Sequence, residues 1–192
     1  TILLQFLMTF DDLRGLKAIT RLFIQAGCTG GLAFFSGVYI QSLGNLFGLG
    51  EIYLGFWGIP FTIFCVVGMI NAFNMIDGLN GLCASLCLVC FTGIIYMINA
   101  DTVPSLFPLI LPVGAIVGFL MYNLGVLGNQ RTVFLGDNGS NALGFMCAWV
   151  LVYFSSVENS NFAPVTALWF VAIPFFDAVG VMASRVIKGI MP

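Results

Sequence analysis

The chain has 192 residues and a net charge of −2; 60% of its residues are hydrophobic, 7% are charged and none is histidine. Soluble domains average about 25% charged residues, so this composition excludes an ordinary globular protein. The small number of charges of either sign also gives no reason to expect a nucleic-acid partner.

Apolar stretches near the ~20 residues that a spanning helix needs separate most of the charges. The sequence therefore predicts an all-α integral membrane protein, a multi-pass helical bundle with six full spans and one partial span. The partial helix covers about residues 1–10, and full helices follow at about residues 20–41, 57–75, 81–99, 104–124, 140–156 and 164–184.

Alternating loops place the charges on two sides of this bundle. One side holds every basic residue of the chain, and the other holds only Glu51, Asp101 and Glu158. By the positive-inside rule the basic side faces the cytoplasm. That side also receives the acidic residues at four other positions: Asp11, Asp12, Asp77 and Asp137. We therefore expect helices distant in sequence to bring these carboxylates to one face.

Asp11 and Asp12 are adjacent carboxylates at the end of the first helix, and Arg14 and Lys17 follow them. Such a pair repels itself unless a cation lies beside it, and a divalent metal, the basic loop or a phosphate-bound metal would each supply one. A charged helix end that stops translocation is the structural alternative. We predict a functional role for the pair.

The stretch from Asn71 to Leu82 places three amides and one carboxylate between two apolar runs: Asn71, Asn74, Asp77 and Asn80. A carboxylate in or at the edge of a membrane is costly, so a functional site is its first interpretation. Asn71 and Asn74 lie one turn apart on one helix face. Amides that join neighbouring membrane helices are the alternative for them. The glycines after Asp77 would let backbone N–H groups approach a ligand.

The segment from Val133 to Asn141 contains Gly136, Asp137 and Ser140 and lies at the start of the helix predicted at about residues 140–156. Asp137 or Ser140 would serve as a helix N-cap in the structural interpretation. In the functional one, the glycines and the helix N-terminus form an anion site, and Asp137 holds a metal against the same phosphate. Oxygen ligands without histidine favour Mg²⁺ over zinc.

The role of Asp177 remains open, whereas the six cysteines have a structural explanation. Asp177, three residues after Pro174, either pairs with Arg185 or faces the same cavity as the other carboxylates. The six cysteines lie inside apolar runs without the spacing of a zinc site, and we interpret them as small packing residues.

The three polar segments together resemble the polyprenyl-phosphate N-acetylhexosamine-1-phosphate transferases, integral-membrane enzymes that move a sugar-1-phosphate from a UDP-sugar to a lipid phosphate. The matching residues are Asp11-Asp12 with Lys17, the stretch 71–82 and the segment 134–140, and the likeness runs across all 192 residues. Asn74-Met75 and the stretch 164–169 are most similar to the bacterial members that act on undecaprenyl phosphate.

The resemblance implies transfer of N-acetylglucosamine-1-phosphate from UDP-N-acetylglucosamine to undecaprenyl phosphate, with release of UMP, at the start of lipid-linked glycan synthesis. It implies Mg²⁺ as the cofactor, with Mn²⁺ as a substitute. It also implies a multi-pass protein of the bacterial cytoplasmic (inner) membrane whose active face is cytoplasmic, in contact with membrane lipid and compatible with a homodimer.

Individual roles follow from the resemblance as well. It implies catalytic carboxylates at four positions: Asp11, Asp12, Asp77 and Asp137. It implies a metal site at Asp137 and Asn74. It implies substrate binding by seven residues: Lys17, Asn71, Asn74, Asn80, Gly136, Ser140 and Arg131.

The chain departs from the family in two respects. Asn80 stands where bacterial members usually have a second aspartate, so this position does not titrate. The family also has helices before the position of Thr1, and a histidine-containing loop and further helices after Pro192. We therefore expect residues 1–192 to be a single transmembrane catalytic-core fragment that is inactive by itself.

Other functions stay open at this stage. Another UDP-N-acetylhexosamine or a peptidoglycan precursor would serve as donor in the same chemistry. A secondary transporter would also place carboxylates in broken helices, but near the bilayer midplane. A structural membrane subunit leaves the paired and glycine-flanked aspartates without explanation.

Overall fold

A computed structural model describes residues 17–45, 48, 50–98, 107–128, 132–156 and 162–189. Within these residues the protein is helical, without β-strands; one isolated bridge joins Ser42 to Tyr53. The described part contains seven α-helices: α1 Ala18–Ser36, α2 Gly58–Ile76, α3 Leu82–Met97, α4 Phe107–Asn123, α5 Gly136–Ser156, α6 Pro164–Phe170 and α7 Ala172–Ile187. A 3-10 turn at Gly55–Trp57 precedes α2.

Two predicted helix boundaries and one predicted continuous span are wrong. α1 ends at Ser36 instead of residue 41, because Gly37 takes the left-handed conformation (φ +69°) that closes a helix. α5 begins at Gly136 instead of residue 140, so the predicted loop segment is the helix's first turn. The predicted last span is two helices, α6 and α7, with an angle of 83° between them. Pro174 explains this break, since it has no N–H to donate to the Phe170 carbonyl.

The core forms around α2, which packs most extensively against α5 and also contacts α1 and α7. α3 packs between α4 and α5. α2 and α5 approach closely at Gly144, where an added Cβ would lie 3.0 Å from the Cα of Ile70. This approach sets the spacing of the two helices that carry most of the polar residues described below.

The described cysteines are packing residues, as predicted. All six are free thiols, and four are fully buried between α2, α3 and α5: Cys83, Cys87, Cys90 and Cys147. The Sγ atoms of Cys87 and Cys147 lie 3.1 Å apart across the contact between α3 and α5. Small polarizable side chains allow these helices to pack closely.

Two helical segments of the described part, Ala18–Ser36 and Gly55–Ile76, are long and apolar enough to cross a membrane. The bent pair α6 and α7 makes a third if it is counted as one span. Leu82–Met97 and Pro108–Asn123 are also apolar but shorter. The all-α architecture with apolar helices is therefore confirmed, whereas the described helices alone do not establish six full spans.

Candidate functional site

The polar residues converge where three helix ends meet. The first turns of α1 and α5 and the last two turns of α2 lie together, as side-chain contacts between all three helices show. The predicted convergence of residues 71–77 with residues 136–140 is thus present in the structure. The rest of each helix runs into the apolar core, so the cluster is at one end of the bundle.

Asp137 lies in the first turn of α5 and faces Arg21 of α1. The Oδ2 atom of Asp137 is 3.4 Å from the Nη1 atom of Arg21, and the two side chains are 61% and 32% exposed. A partly exposed pair at this distance contributes little to stability. Its importance is its position, because it places a cation and a carboxylate side by side at the opening of the cluster.

Asn74 and Ser140 connect α2 to α5 directly beneath Asp137. The Nδ2 atom of Asn74 donates a hydrogen bond to the Ser140 hydroxyl at 3.0 Å. That hydroxyl, which is fully buried, in turn donates to the backbone carbonyl of Asp137 at 3.1 Å. Asn74 therefore supports the helix turn that carries Asp137.

Asn71 connects α2 to α1 about one turn deeper. Its Nδ2 atom donates to Oε1 of Gln25 at 2.9 Å and to the backbone carbonyl of Val67 at 2.7 Å. Bonds from Asn71 and Asn74 to other helices are those that the structural alternative predicted for these amides. Their roles in substrate binding therefore stay a prediction.

Asp77 follows α2 and begins the turn that leads to α3. Partial burial of its side chain, and then the negative charge of Asp137, raise the pKa of Asp77 above its ordinary value of 3.8. Burial disfavours the charged form, and a second carboxylate nearby disfavours it further. Asp77 and Asp137, two of the four carboxylates predicted to be catalytic, are thus close enough to repel each other.

This raised pKa gives a testable pH dependence. A carboxyl group with a higher pKa in the folded chain binds more protons when folded, so stability falls as pH rises above about 4. We expect Asp77→Asn to raise the thermal unfolding temperature in EDTA at neutral pH. The gain should shrink as the pH is lowered, because protonation removes the negative charge of wild-type Asp77. Thermal unfolding in detergent across this pH range measures both values.

Asp177→Asn is the matched control, because Asp177 is an exposed carboxylate of α7 outside the cluster. It should leave the pH dependence of unfolding as in the wild type. The same pH-dependent gain in both variants, or none in Asp77→Asn, would contradict the assigned repulsion between Asp77 and Asp137.

The other predicted site residues differ in placement. Lys17 is exposed and immediately precedes α1, one turn before Arg21, and Asn80 is exposed in the turn after Asp77. Gly136 has a φ of +68°, which favours glycine at the sharp entry into α5. The predicted residues Asp11, Asp12 and Arg131 lie outside the described residues.

Asp177 lies on α7 and shares an open pocket along that helix with Arg185 and Lys188. It forms no ion pair with Arg185, although both residues are described. Of the two alternatives left open for Asp177, the pairing with Arg185 is therefore not present in the described residues. The residues that line the pocket belong to α7 and to the residue that follows it. No hydrogen bond or ion pair of the described residues joins Asp177 to the cluster.

Sequence reasoning missed the contributions of Arg21, Gln25 and Asn123 to this end of the bundle. Neither Arg21 nor Gln25 was singled out from the sequence. A signal was present, since Arg21, Gln25 and Thr29 recur every four residues along an otherwise apolar helix. Buried Asn123, at the end of α4, donates to the Val133 carbonyl at 2.7 Å and anchors the segment that enters α5.

The donor set suits Mg²⁺ in kind. Among the described residues, no three Asp, Glu or Cys side chains form a group that could hold a metal. Two neighbouring carboxylates, Asp77 and Asp137, and the amide oxygen of Asn74 are present instead. Mg²⁺ is commonly bound through one or two carboxylates while it keeps water ligands and contacts substrate phosphates.

Comparison with known proteins identifies relatives across almost the whole chain. The sequence profile described as glycosyl transferase family 4 matches residues 1–155. The undecaprenyl-phosphate alpha-N-acetylglucosaminyl 1-phosphate transferase of Escherichia coli K12 is 38% identical over 191 residues, which are 98% of this chain and 52% of that protein. The protein of the same name from Yersinia pestis is 36% identical over 192 residues, which are 99% of this chain and 52% of that protein. The one from Haemophilus influenzae is 37% identical over 179 residues, which are 88% of this chain and 50% of that protein. The chain thus spans about half the length of the curated relatives it matches.

Proposed function

Since the chain belongs to glycosyl transferase family 4, we propose that it forms the catalytic core of a membrane enzyme that transfers N-acetylglucosamine-1-phosphate from UDP-N-acetylglucosamine to undecaprenyl phosphate. The observation that carries the proposal is the convergence of Asp77, Asp137 and Arg21 at one end of an apolar helical bundle. Charged groups at a bundle end are accessible to a soluble nucleotide, whereas a transporter would hold them near the middle of its helices.

In the proposed reaction an oxygen of the lipid phosphate attacks the β-phosphorus of the UDP-sugar. A new P–O bond forms as the bond between that phosphorus and the UMP oxygen breaks, and UMP leaves with the electron pair. Such a transfer needs mainly positioning and neutralisation of phosphate charge. Arg21 is placed to balance charge beside Asp137, and the Asn74–Ser140 bond holds the turn of α5 that carries Asp137.

We assign the metal site to Asp137 and the Oδ1 atom of Asn74, with Asp77 beside them. When bound, Mg²⁺ would neutralise phosphate charge and orient the transferred group. Asp77 and Asp137 repel each other in its absence, which is the arrangement of carboxylates that a divalent cation stabilises. Asp11 and Asp12 are proposed to be the further catalytic carboxylates, and Lys17, Asn71, Asn80, Gly136, Ser140 and Arg131 to contact substrate.

We further propose six full spans in the bacterial cytoplasmic membrane, with the cluster facing the cytoplasm. Basic residues at the start of α1 and the end of α7 support this orientation by the positive-inside rule. At the opposite end of α1 and α2, Phe35, Phe56 and Trp57 are strongly exposed. Exposed aromatic rings at helix ends are typical of a membrane interface.

The decisive experiment measures release of UMP by the full-length protein in detergent. UDP-N-acetylglucosamine is supplied with or without undecaprenyl phosphate, and each mixture contains either Mg²⁺ or EDTA. We expect release only when lipid and Mg²⁺ are both present, because attack needs the acceptor and the charge must be neutralised. Mn²⁺ should restore part of the rate after EDTA treatment.

Further donors test separately which sugar the site accepts and whether the protein is a transferase. UDP-N-acetylgalactosamine and UDP-linked peptidoglycan precursors, tested under the same conditions, identify the sugar that the site accepts. If a folded protein releases UMP from none of these donors, the transferase proposal is wrong and transport becomes the function to test. Release that persists in EDTA would remove the metal from the proposal.

A further inference from the structure

A closed circuit of polar contacts joins the ends of α1, α2 and α5. Each helix contributes two residues one turn apart: Arg21 and Gln25 from α1, Asn71 and Asn74 from α2, Asp137 and Ser140 from α5. Side-chain contacts connect Arg21 to Asp137, Ser140 to Asn74 and Asn71 to Gln25. The helix backbones complete the circuit.

Gln25, like Ser140, is a buried residue of this circuit. Its side chain is only 1% exposed, while the side chains of Arg21 and Asp137 at the opening are partly exposed. A buried amide needs a partner, because an unpaired polar group in an apolar core costs free energy. Asn71 supplies that partner, so the bond between Gln25 and Asn71 constrains how α1 sits against α2.

The direction of this bond follows from chemistry. The Nδ2 atom of Asn71 also contacts the backbone carbonyl of Val67, which can only accept a hydrogen bond. Asn71 must therefore present its NH₂ group to both partners, and Gln25 must present its carbonyl oxygen. Both hydrogens of the Asn71 amide are then used. The two amides therefore have a single hydrogen-bonding arrangement, and such a contact can fix the position of α1 relative to α2.

We propose that Gln25 is a positioning residue for the reaction: by accepting the hydrogen bond of Asn71 it fixes α1 against α2, and so places Arg21, one turn away, beside Asp137. The inference rests on the proposed transferase function for its catalytic consequence. The geometric part stands separately, because it concerns where Arg21 lies relative to Asp137.

The matched pair of variants is Gln25→Met and Thr29→Val. Gln25→Met keeps the approximate length of the side chain and removes the acceptor. Thr29 is also fully buried on α1, one turn beyond Gln25, but its hydroxyl donates to the backbone carbonyl of Gln25 within the same helix. Thr29→Val therefore removes a buried polar group of α1 without breaking a bond between helices.

The first readout is steady-state release of UMP by the full-length protein. We expect Gln25→Met to lower kcat roughly tenfold or more, since misplaced supporting groups cost about 10- to 100-fold. The KM for the UDP-sugar should change less than about threefold, and Thr29→Val should retain the wild-type kcat. Equal losses of kcat in both variants, or an unchanged kcat in Gln25→Met, would overturn the proposal.

The second readout does not depend on activity. Arg21→Cys and Asp137→Cys are combined, and a short bis-methanethiosulfonate reagent joins the two thiols; mass spectrometry of the linked peptides gives the yield. The protein without the new cysteines gives the background from native thiols. Adding Gln25→Met should lower the yield severalfold, and adding Thr29→Val should not.

The two readouts distinguish the ways of failing. If the wild-type protein releases no UMP, the transferase function fails, and the cross-linking yield still decides the role of Gln25. If the yield is the same with Gln25 and with methionine at that position, Gln25 does not place Arg21, whatever the activity.

Discussion

Replacing Asp137 with alanine should reduce Mg²⁺-dependent release of UMP by the full-length protein to background, a loss of at least about 100-fold. Asp137 is the residue on which the described contacts converge: Arg21 faces its carboxylate, and Ser140 bonds to its backbone carbonyl. Alanine removes the carboxylate but keeps the helix turn, because the Ser140 bond uses the backbone.

The measurement is UMP release at saturating UDP-N-acetylglucosamine and undecaprenyl phosphate, over a range of Mg²⁺ concentrations. Thermal unfolding in detergent verifies that the variant is folded. Glu51→Gln is the matched control, since Glu51 is an exposed carboxylate in the connection between the end of α1 and the start of α2, away from the cluster. Full activity in folded Asp137→Ala would remove Asp137 from the proposed metal site.

The predicted helices and the convergence of the site came from different features of the sequence. Apolar runs of spanning length indicated the helices, and the count of loops indicated that Asp77 and Asp137 share one side. The structure places these two carboxylates close together, so that the negative charge of Asp137 raises the pKa of Asp77. A count of loops gives only the side, because it contains no information on which helices are neighbours.

What sequence reasoning did not give is the rotation of each helix about its axis. Gln25 meets Asn71 because α1 and α2 turn particular faces to each other, and this depends on packing along both helices. The amides of α2 were recognised as polar, but their partners were not predictable from spacing within α2. The polar repeat in α1 was readable, and it would have identified Gln25 as an inward-facing residue.

The break between α6 and α7 has a local cause that the apolar pattern concealed. Residues 164–184 are apolar enough to resemble one span, yet Pro174 cannot donate to the carbonyl one turn earlier. The resulting bend of 83° turns α7 away from the direction of α6. Hydropathy measures the solvent that a segment prefers and contains no term for this lost hydrogen bond.

Gly144→Ala should lower the thermal unfolding temperature by roughly 5 °C and reduce UMP release along with it. The new Cβ would lie 3.0 Å from the Cα of Ile70, 3.0 Å from the Cβ of Phe73 and 3.2 Å from the carbonyl of Met69. Because backbone atoms and a Cβ atom cannot move aside, α2 and α5 must separate. Their separation would stretch the bond between Asn74 and Ser140 about one turn away.

Gly114→Ala and Gly93→Ala test this geometric explanation. An added Cβ at Gly114 on α4 meets no atom within 4 Å, so alanine should be neutral or slightly stabilising there through its higher helix propensity. At Gly93 on α3 the contact, at 2.7 Å, is with the ring of Phe170, a side chain that is able to shift. We expect the losses to rank Gly144, then Gly93, then Gly114. An unfolding temperature of Gly144→Ala equal to that of Gly114→Ala would show that the approach of α2 to α5 is not what holds the cluster together.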